Sequence, residues 1–209
     1  MLRTDREPET ILRRKENYLR KVGNTFGDEV EEKVREDALD LVRQYTESHD
    51  PLPEEEAIHV EDNIVPTACI YMALKGQVGT AAITFIRRVK NSSSEESGRN
   101  LDSRLRDMGR EAFFCWWVEY CRNVYGKANG FVSVHYPPEK QGATLDVLKC
   151  PYKEYLDELG CPELITAFCD SDNYSYGNLR GVRFIRKGTL GYGDNKCDFR
   201  LEAVNDQEK

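Results

Sequence analysis

The segment that decides the fold is Phe131-Val132-Ser133-Val134-His135-Tyr136. Apolar and polar side chains alternate along it, which is typical of a half-buried β-strand, whereas the apolar patterns that precede it have helical spacing. A turn is predicted at residues 137–142, and residues 144–150 predict a second strand, so the two strands form a hairpin. The chain therefore changes from helices to strands near residue 130.

A second hairpin is predicted near the C-terminus, from residues 182–186 and 197–202 across a glycine-rich connection. In the last of these strands Cys197, Phe199 and Leu201 point to one face, and the polar side chains between them point to the other. The sequence thus predicts four antiparallel strands in all.

The remaining apolar positions recur every three or four residues, which predicts helices. The helices are expected at residues 8–22, from residue 28 to about residue 45, from Pro66, around residues 82–89, and at residues 101–125, 151–159 and 162–170. Residues 91–98 are polar and serine-rich, and we expect a mobile loop there. The segment 101–125 is apolar nearly all round, which indicates a buried helix. We therefore predict an α+β fold, with a helical N-terminal half packed on a four-stranded antiparallel sheet formed by the C-terminal half.

The length of 209 residues is that of one domain with a sizeable core. We expect a charged N-terminal helical extension at residues 1–27, a single domain at residues 28–204, and a polar tail at residues 205–209.

Charge and hydropathy restrict the partners. The chain has 30 lysines and arginines against 37 aspartates and glutamates, a net charge of −7, and we expect no nucleic-acid partner because the chain repels phosphate. We expect no membrane span, since no apolar run approaches the roughly 20 residues needed. The N-terminus lacks the apolar core of a signal peptide, and the seven cysteines are an odd number, so reduced thiols and a cytoplasmic location are predicted.

Two cysteines, Cys150 and Cys161, each precede a proline at a predicted helix start. Unpaired N–H groups and the helix dipole stabilise a thiolate there. Cys150 is therefore a candidate nucleophile, and we expect it to be the most reactive of the seven thiols. The alternative, a buried cysteine used as a small apolar side chain, is favoured for both when spacing alone is considered.

Two aspartates have competing interpretations. Asp170 follows Cys169 at the end of a short helix, where it either activates water or caps the next turn, and the cap is the simpler role. Asp198 either activates water or pairs with Arg183 or Arg200 on the sheet surface.

A metal site is not expected. The cysteines include no C-x-x-C pair and the chain has only three histidines, so a zinc site formed by Cys150, Cys169 and Cys197 has little support. We predict no bound metal and no organic cofactor.

An ordered set of motifs resembles the L-2-amino-thiazoline-4-carboxylic acid hydrolase-like family over roughly residues 28–202. The motifs are Ile64-Val65-Pro66, Ile70-Tyr71-Met72-Ala73-Leu74, Cys150-Pro151-Tyr152, Leu159-Gly160-Cys161-Pro162-Glu163-Leu164, Phe168-Cys169-Asp170, Phe184-Ile185-Arg186-Lys187-Gly188-Thr189-Leu190, Gly193-Asp194 and Cys197-Asp198-Phe199-Arg200. The resemblance implies a hydrolase-like enzyme that acts on the C–N bond of a cyclic amidine, opening a C=N-containing heterocycle or acting on a related biosynthetic intermediate.

Such chemistry needs a nucleophile or activated water, a proton donor, and a cation for a substrate carboxylate. The candidate catalytic residues that the resemblance suggests are Cys150, Cys169, Asp170 and Asp198. The candidate substrate-binding residues are Arg183, Arg186, Trp117, Tyr120 and His135. Cys150, Cys169 and Asp170 are expected near one pocket.

Two other functions remain open: a cyclase or isomerase of a small-molecule pathway on the same fold, and a non-catalytic ligand-binding module. The expected partner is a small-molecule substrate, and the sequence leaves a homo-oligomer open.

Overall fold

The computed structural model describes residues 1–204, and the polar tail expected at residues 205–209 lies outside the described residues. The chain divides into two compact units. Unit 1 contains Met1–Val89 and Pro151–Ile165, and unit 2 contains Lys90–Cys150 and the described chain from Thr166 onwards. The expected domain boundaries at residues 27 and 204 stay a prediction.

The helices of unit 1 are α1 (Pro8–Arg13), α2 (Glu16–Phe26), α3 (Asp28–Ser48), α4 (Glu54–His59), α5 (Val65–Val78), the start of α6 (Ala81–Met108), and α8 (Pro151–Glu158). The centre of this unit is α3, which packs against α1, α2 and α5. Its buried positions, Val34, Ala38, Val42 and Tyr45, recur every three or four residues and form one apolar face of the helix. A π-helical turn, Val60–Ile64, joins α4 to α5.

Unit 2 contains the rest of α6, then α7 (Arg110–Val124), β1 (Val132–His135), β2 (Gly142–Lys149), all but the first residue of α9 (Ile165–Tyr176), β3 (Val182–Ile185) and β4 (Cys197–Ala203). The strands form one antiparallel sheet in the order β1-β2-β4-β3. This confirms the α+β fold with a four-stranded sheet in the C-terminal half. Cys197, Phe199 and Leu201 are all buried on one face, as the alternation predicts.

The mobile loop predicted at residues 91–98 is wrong, because these residues are helical within α6. The small side chains of these serines and the glycine allow α9 to pack closely against this part of α6. Ser94 is buried, and a Cβ on Gly98 would lie 2.7 Å from the Tyr174 carbonyl oxygen. Packing against a neighbouring helix therefore outweighs the low helix propensity of the segment.

The helix predicted over residues 101–125 is two helices, divided at Gly109, whose φ of +80° suits glycine. The second of them, α7, is not buried all round. Phe113, Phe114 and Trp117 are buried, whereas Tyr120 is 38% exposed. The apolar pattern overestimated burial because one face of α7 meets solvent.

Candidate functional site

The candidate site lies at one end of the sheet in unit 2. Val147 of β2 pairs with Cys197 of β4, and Ile185 of β3 pairs with Arg200. Because neighbouring strands are antiparallel, the end of β2, the start of β4 and the end of β3 lie at the same end of the sheet. Cys150, Cys197 and Arg186 follow or begin those strands, so the topology collects residues that are distant in sequence.

Helix α9 brings Cys169 and Asp172 to this end. They are three residues apart, which places them on one helix face. Arg186 holds both: its Nη1 donates to Asp172 Oδ2 at 2.5 Å, and its Nη2 donates to the Cys169 carbonyl oxygen at 2.9 Å. Its side chain is only 5% exposed, so the buried guanidinium links α9 to the end of β3.

The thiols of Cys197 and Cys150 are close enough to Cys169 to affect its pKa. Burial raises the pKa of Cys169 to about 12, and Asp172, Cys197 and Cys150 add to the rise while Arg186 opposes it. Burial also raises the pKa of Cys197, whose Sγ accepts a hydrogen bond from the Leu190 N–H at 3.2 Å. Cys169 and Cys197 are therefore neutral thiols near pH 7.

The charged groups of the site have shifted pKa values. Burial raises the pKa of Asp172 to about 6, although Arg186 and Lys90 both act to lower it. Burial lowers the pKa of Lys90 to about 8, against the attraction of Asp172. The Lys90 ammonium lies 4.4 Å from the centre of the Phe168 ring, a cation–π contact. Both groups titrate near neutral pH, as catalytic acids and bases often do. We call Lys90, Cys150, Cys169, Asp172, Arg186 and Cys197 the sheet-end cluster.

Lys90 and Asp172 were missed from the sequence. The sequence predicts that the helix of Cys169 ends at residue 170 and that a turn follows, but α9 continues to Tyr176 and makes Asp172 a helix residue. The sequence signal that could have identified Asp172 is its position three residues after Cys169, on the same helix face. Lys90 precedes the supposed loop at residues 91–98, and nothing local to it distinguishes this lysine from others.

The two candidate aspartates have defined partners. Asp170 accepts a hydrogen bond from the Tyr192 hydroxyl at 2.7 Å. Asp198 accepts from the backbone N–H groups of Lys187 and Gly188, at 2.8 and 2.6 Å. Asp198 thus orders the connection between β3 and β4, and it lies on the sheet face opposite Cys197.

The two candidate arginines lie on opposite faces of the sheet. Arg183 pairs with Glu202 at 3.0 Å, and its side chain is 59% exposed. Arg186 stands over the rings of Phe184 and Phe199 on the buried face. Only Arg186 is brought to Cys169.

The remaining candidates lie in different surroundings. Trp117 is fully buried and packs edge-on against Tyr176. Tyr120 stacks on Trp116 at the exposed side of α7, with ring centres 5.2 Å apart. His135 is half-buried at the end of β1, where burial and the nearby Arg122 lower its pKa. None of these three has a described contact with the sheet-end cluster in the part of the chain that the structure covers.

The other cysteines separate by exposure. Cys161 is 1% exposed and burial raises its pKa to about 12, as expected for a small apolar side chain rather than a thiolate. Cys121 is buried with a raised pKa, but Cys115 is exposed, which corrects the prediction that the helix at residues 101–125 is buried nearly all round. Cys150 is half-buried, and α8 begins at the next residue, Pro151.

Residues 1–204 offer few other kinds of site. They contain no group of three or more histidines, cysteines and carboxylates that could hold a metal ion. No helix among them is both long and apolar enough to cross a membrane. Unit 2 has a surface pocket of about 410 Å³, lined by Glu95, Arg99, Asp102 and Tyr174 among others, and none of its lining residues belongs to the sheet-end cluster.

Comparison with known families identifies the chain. The model of the L-2-amino-thiazoline-4-carboxylic acid hydrolase family matches residues 57–201, more than half of the sequence. The chain belongs to this family. All six residues of the sheet-end cluster fall within the match. The match confirms the family resemblance that the sequence motifs indicate.

Solved structures give weaker likenesses. One, from work on heme distortion in the H-NOX family, is 15% identical with a TM-score of 0.36, over 90% of this chain and 92% of the other. A second, from work on porphyrin distortion and heme redox potential, is 12% identical with a TM-score of 0.33, over 88% and 95%. A third, an H-NOX mutant with 4-cyano-L-phenylalanine, is 13% identical with a TM-score of 0.33, over 90% and 93%. TM-scores below 0.5 do not establish a shared fold. No curated protein sequence matches the chain.

Proposed function

We propose that this member of the amino-thiazoline-carboxylate hydrolase family is a small-molecule enzyme that hydrolyses a C=N-containing heterocycle at the sheet-end cluster. The observation that carries the proposal is the Cys169–Asp172–Arg186 arrangement, with Lys90 nearby, inside the residues that match the family. A buried acid, a buried base and thiols beside them are the groups that ring opening of a cyclic amidine requires.

Lys90 is the proposed anchor for the substrate carboxylate. With a pKa of about 8 it is mostly protonated at pH 7, and its low hydration strengthens attraction to an anion. Arg186, the earlier candidate for this role, already donates to Asp172 and to Cys169. We therefore assign it to positioning the Asp172 carboxylate.

Asp172 is the proposed general base. With a pKa of about 6, it is ionised at pH 7, and its conjugate acid is strong enough to return the proton later in the reaction. It takes a proton from water as the water oxygen bonds to the C=N carbon. Asp172 passes this proton to the nitrogen of the former C=N bond. The hydroxyl on the carbon then gives its proton to Asp172 as the C=O bond forms and the ring bond to the leaving heteroatom breaks, and the leaving atom receives that second proton from Asp172.

The thiols take two different proposed roles. Cys169, a neutral thiol, donates a hydrogen bond to the ring nitrogen as charge develops there. Cys150 is the candidate for direct attack, which would replace the first water step by a covalent intermediate that water then hydrolyses. In this account Asp170 and Asp198 support the surrounding loops.

The test is to incubate the purified protein with 2-amino-thiazoline-4-carboxylate in ¹⁸O-labelled water and to analyse the product by mass spectrometry. The proposal predicts a ring-opened product that has gained one labelled oxygen. A product with the mass of the substrate would indicate the cyclase or isomerase alternative. Saturable binding without any product would indicate the ligand-binding module.

A further inference from the structure

The pocket of about 410 Å³ in unit 2 lies between α6 and α9, and we call it the α6–α9 pocket. Its volume is within the range of small-molecule sites in proteins, about 300–1,000 Å³. One wall belongs to α6, and the other belongs to the end of α9 and the turn that follows. The lining residues are Glu95, Gly98, Arg99, Asp102, Ser103, Tyr174 and Asn178.

Two contacts fix the two walls of this pocket relative to each other. Gly98 allows α9 to approach α6, because a Cβ on it would lie 2.7 Å from the Tyr174 carbonyl oxygen. Four residues further along α6, Asp102 accepts hydrogen bonds from the backbone N–H and from Nε of Arg180, both at 2.9 Å. The pocket therefore exists before a ligand arrives, as most small-molecule sites do.

The charges that line the pocket fall into two groups. Asp102 is already compensated by its ion pair with Arg180. Glu95 and Arg99 are four residues apart, so they are neighbours on one face of α6. Among the described residues, neither of them takes part in an ion pair. One exposed carboxylate and one exposed guanidinium therefore face the same pocket, and their charges balance.

This arrangement defines the chemistry of a fitting ligand. A molecule with one positive and one negative group close together complements both Glu95 and Arg99, whereas a simple anion or cation complements only one. An α-amino acid is such a molecule, and its carboxylate can accept the two parallel hydrogen bonds that a guanidinium donates. The ring of Tyr174, which is 36% exposed, offers an apolar surface to the ligand's side chain.

We propose that the α6–α9 pocket binds a free amino acid with an apolar side chain. Arg99 binds its carboxylate, Glu95 binds its ammonium group, and Tyr174 contacts its side chain. The site does not depend on the proposed hydrolysis, since none of its lining residues belongs to the sheet-end cluster.

The first test is a calorimetric titration of the full chain with L-phenylalanine. We expect saturable binding with a Kd of about 1 mM, because the charged contacts are exposed and each contributes little. Hydrocinnamate lacks the ammonium group and phenethylamine lacks the carboxylate, so each should bind about threefold or more weakly. Absence of L-phenylalanine binding, or equal binding of all three compounds, overturns the proposal.

The second test locates the binding with matched variants. Arg99→Met and Glu95→Gln should each raise the Kd for L-phenylalanine by about threefold or more, whereas Arg106→Met and Glu96→Gln should leave it unchanged. The two control residues are exposed on α6 and do not line the pocket. Lys90→Met should also leave the Kd unchanged. A Kd that rises in Lys90→Met but not in Arg99→Met places the amino acid at the sheet-end cluster and overturns the proposal.

Both tests measure binding without turnover. Their outcome is therefore separate from that of the ring-opening experiment, and either proposal can fail while the other holds.

Discussion

The guanidinium of Arg186 donates a 2.5 Å hydrogen bond to the carboxylate of Asp172, and through this contact the end of β3 is fixed to the middle of α9. The same guanidinium also binds the Cys169 carbonyl oxygen. The position of the proposed base and that of the neighbouring thiol therefore depend on one arginine.

The role of Arg186 is tested by comparing Arg186→Met with Arg183→Met. Loss of Arg186 leaves the Asp172 carboxylate without its ion-pair partner, and we expect the free energy of unfolding to fall by about 3 kcal/mol. Arg183 makes an exposed pair with Glu202, and its loss should cost less than about 1 kcal/mol. Urea denaturation at pH 7 measures both. Equal losses would show that Arg186 does not hold the site.

The raised pKa of Asp172 predicts a pH dependence of stability. Its pKa is about 6 in the folded protein against about 4 in the unfolded chain, so the folded state binds more protons between these values. The contribution of Asp172 is therefore fully present below pH 4 and is lost as the pH rises through 6. Because Asp172→Asn removes this titration, the free energy of unfolding of the wild type minus that of the variant should fall between pH 4 and pH 7. Asp157→Asn, at an exposed aspartate, is the control. A pH-independent difference for Asp172→Asn would contradict the shift.

Substitution of Lys90 should affect thermal stability and substrate binding in different ways. Burial lowers its pKa, so its charge at pH 7 costs stability that Lys90→Met recovers. We expect the variant to be at least as stable as the wild type in thermal unfolding, and to show about a tenfold or greater rise in KM for a carboxylate substrate. A destabilised variant with unchanged KM would indicate that the Phe168 contact, not anchoring, is what Lys90 provides.

Thiol reactivity distinguishes the cysteines. Limited alkylation near pH 7 followed by peptide mapping should label Cys150 faster than Cys161 and Cys121, whose burial raises their pKa values. Cys115 is the informative reference, because it is exposed and lies on α7 away from a helix start. A Cys150 that labels no faster than Cys115 would remove the case for direct attack and leave water activation by Asp172.

The last strand could be predicted from the sequence because alternation in Cys197–Leu201 directly reports a buried and an exposed face. In residues 131–136 the alternation predicted the strand but not its burial, because the apolar side chains of Val132, Val134 and Tyr136 are the exposed ones. The site was predicted in part: Cys150, Cys169 and Arg186 were named, but Arg183 and Asp198 lie on the opposite face of the sheet. A periodic pattern gives the face of a strand, but it does not say which arginine meets a helix that is distant in sequence.

The helix α6 explains why the rest was missed. Apart from two glutamates, residues 91–98 are serines, asparagine and glycine with low helix propensity, and their helix is stabilised because Ser94 and Gly98 pack against α9. If that segment is predicted to be a loop, the sequence gives no basis for placing Lys90 next to Phe168. Likewise, ending α9 near Asp170 removes Asp172 from the face that carries Cys169.

The central claim, that Asp172 activates water at the sheet-end cluster, is tested most directly by kcat for ring opening of 2-amino-thiazoline-4-carboxylate in Asp172→Asn and Asp107→Asn. Asp107 is an exposed aspartate on the last turn of α6 and serves as the matched control. Loss of a general base should lower kcat by a factor of about 100 or more in Asp172→Asn, with the control within about twofold of the wild type. Wild-type kcat in a folded Asp172→Asn protein, or no ring opening by the wild type itself, would contradict the account.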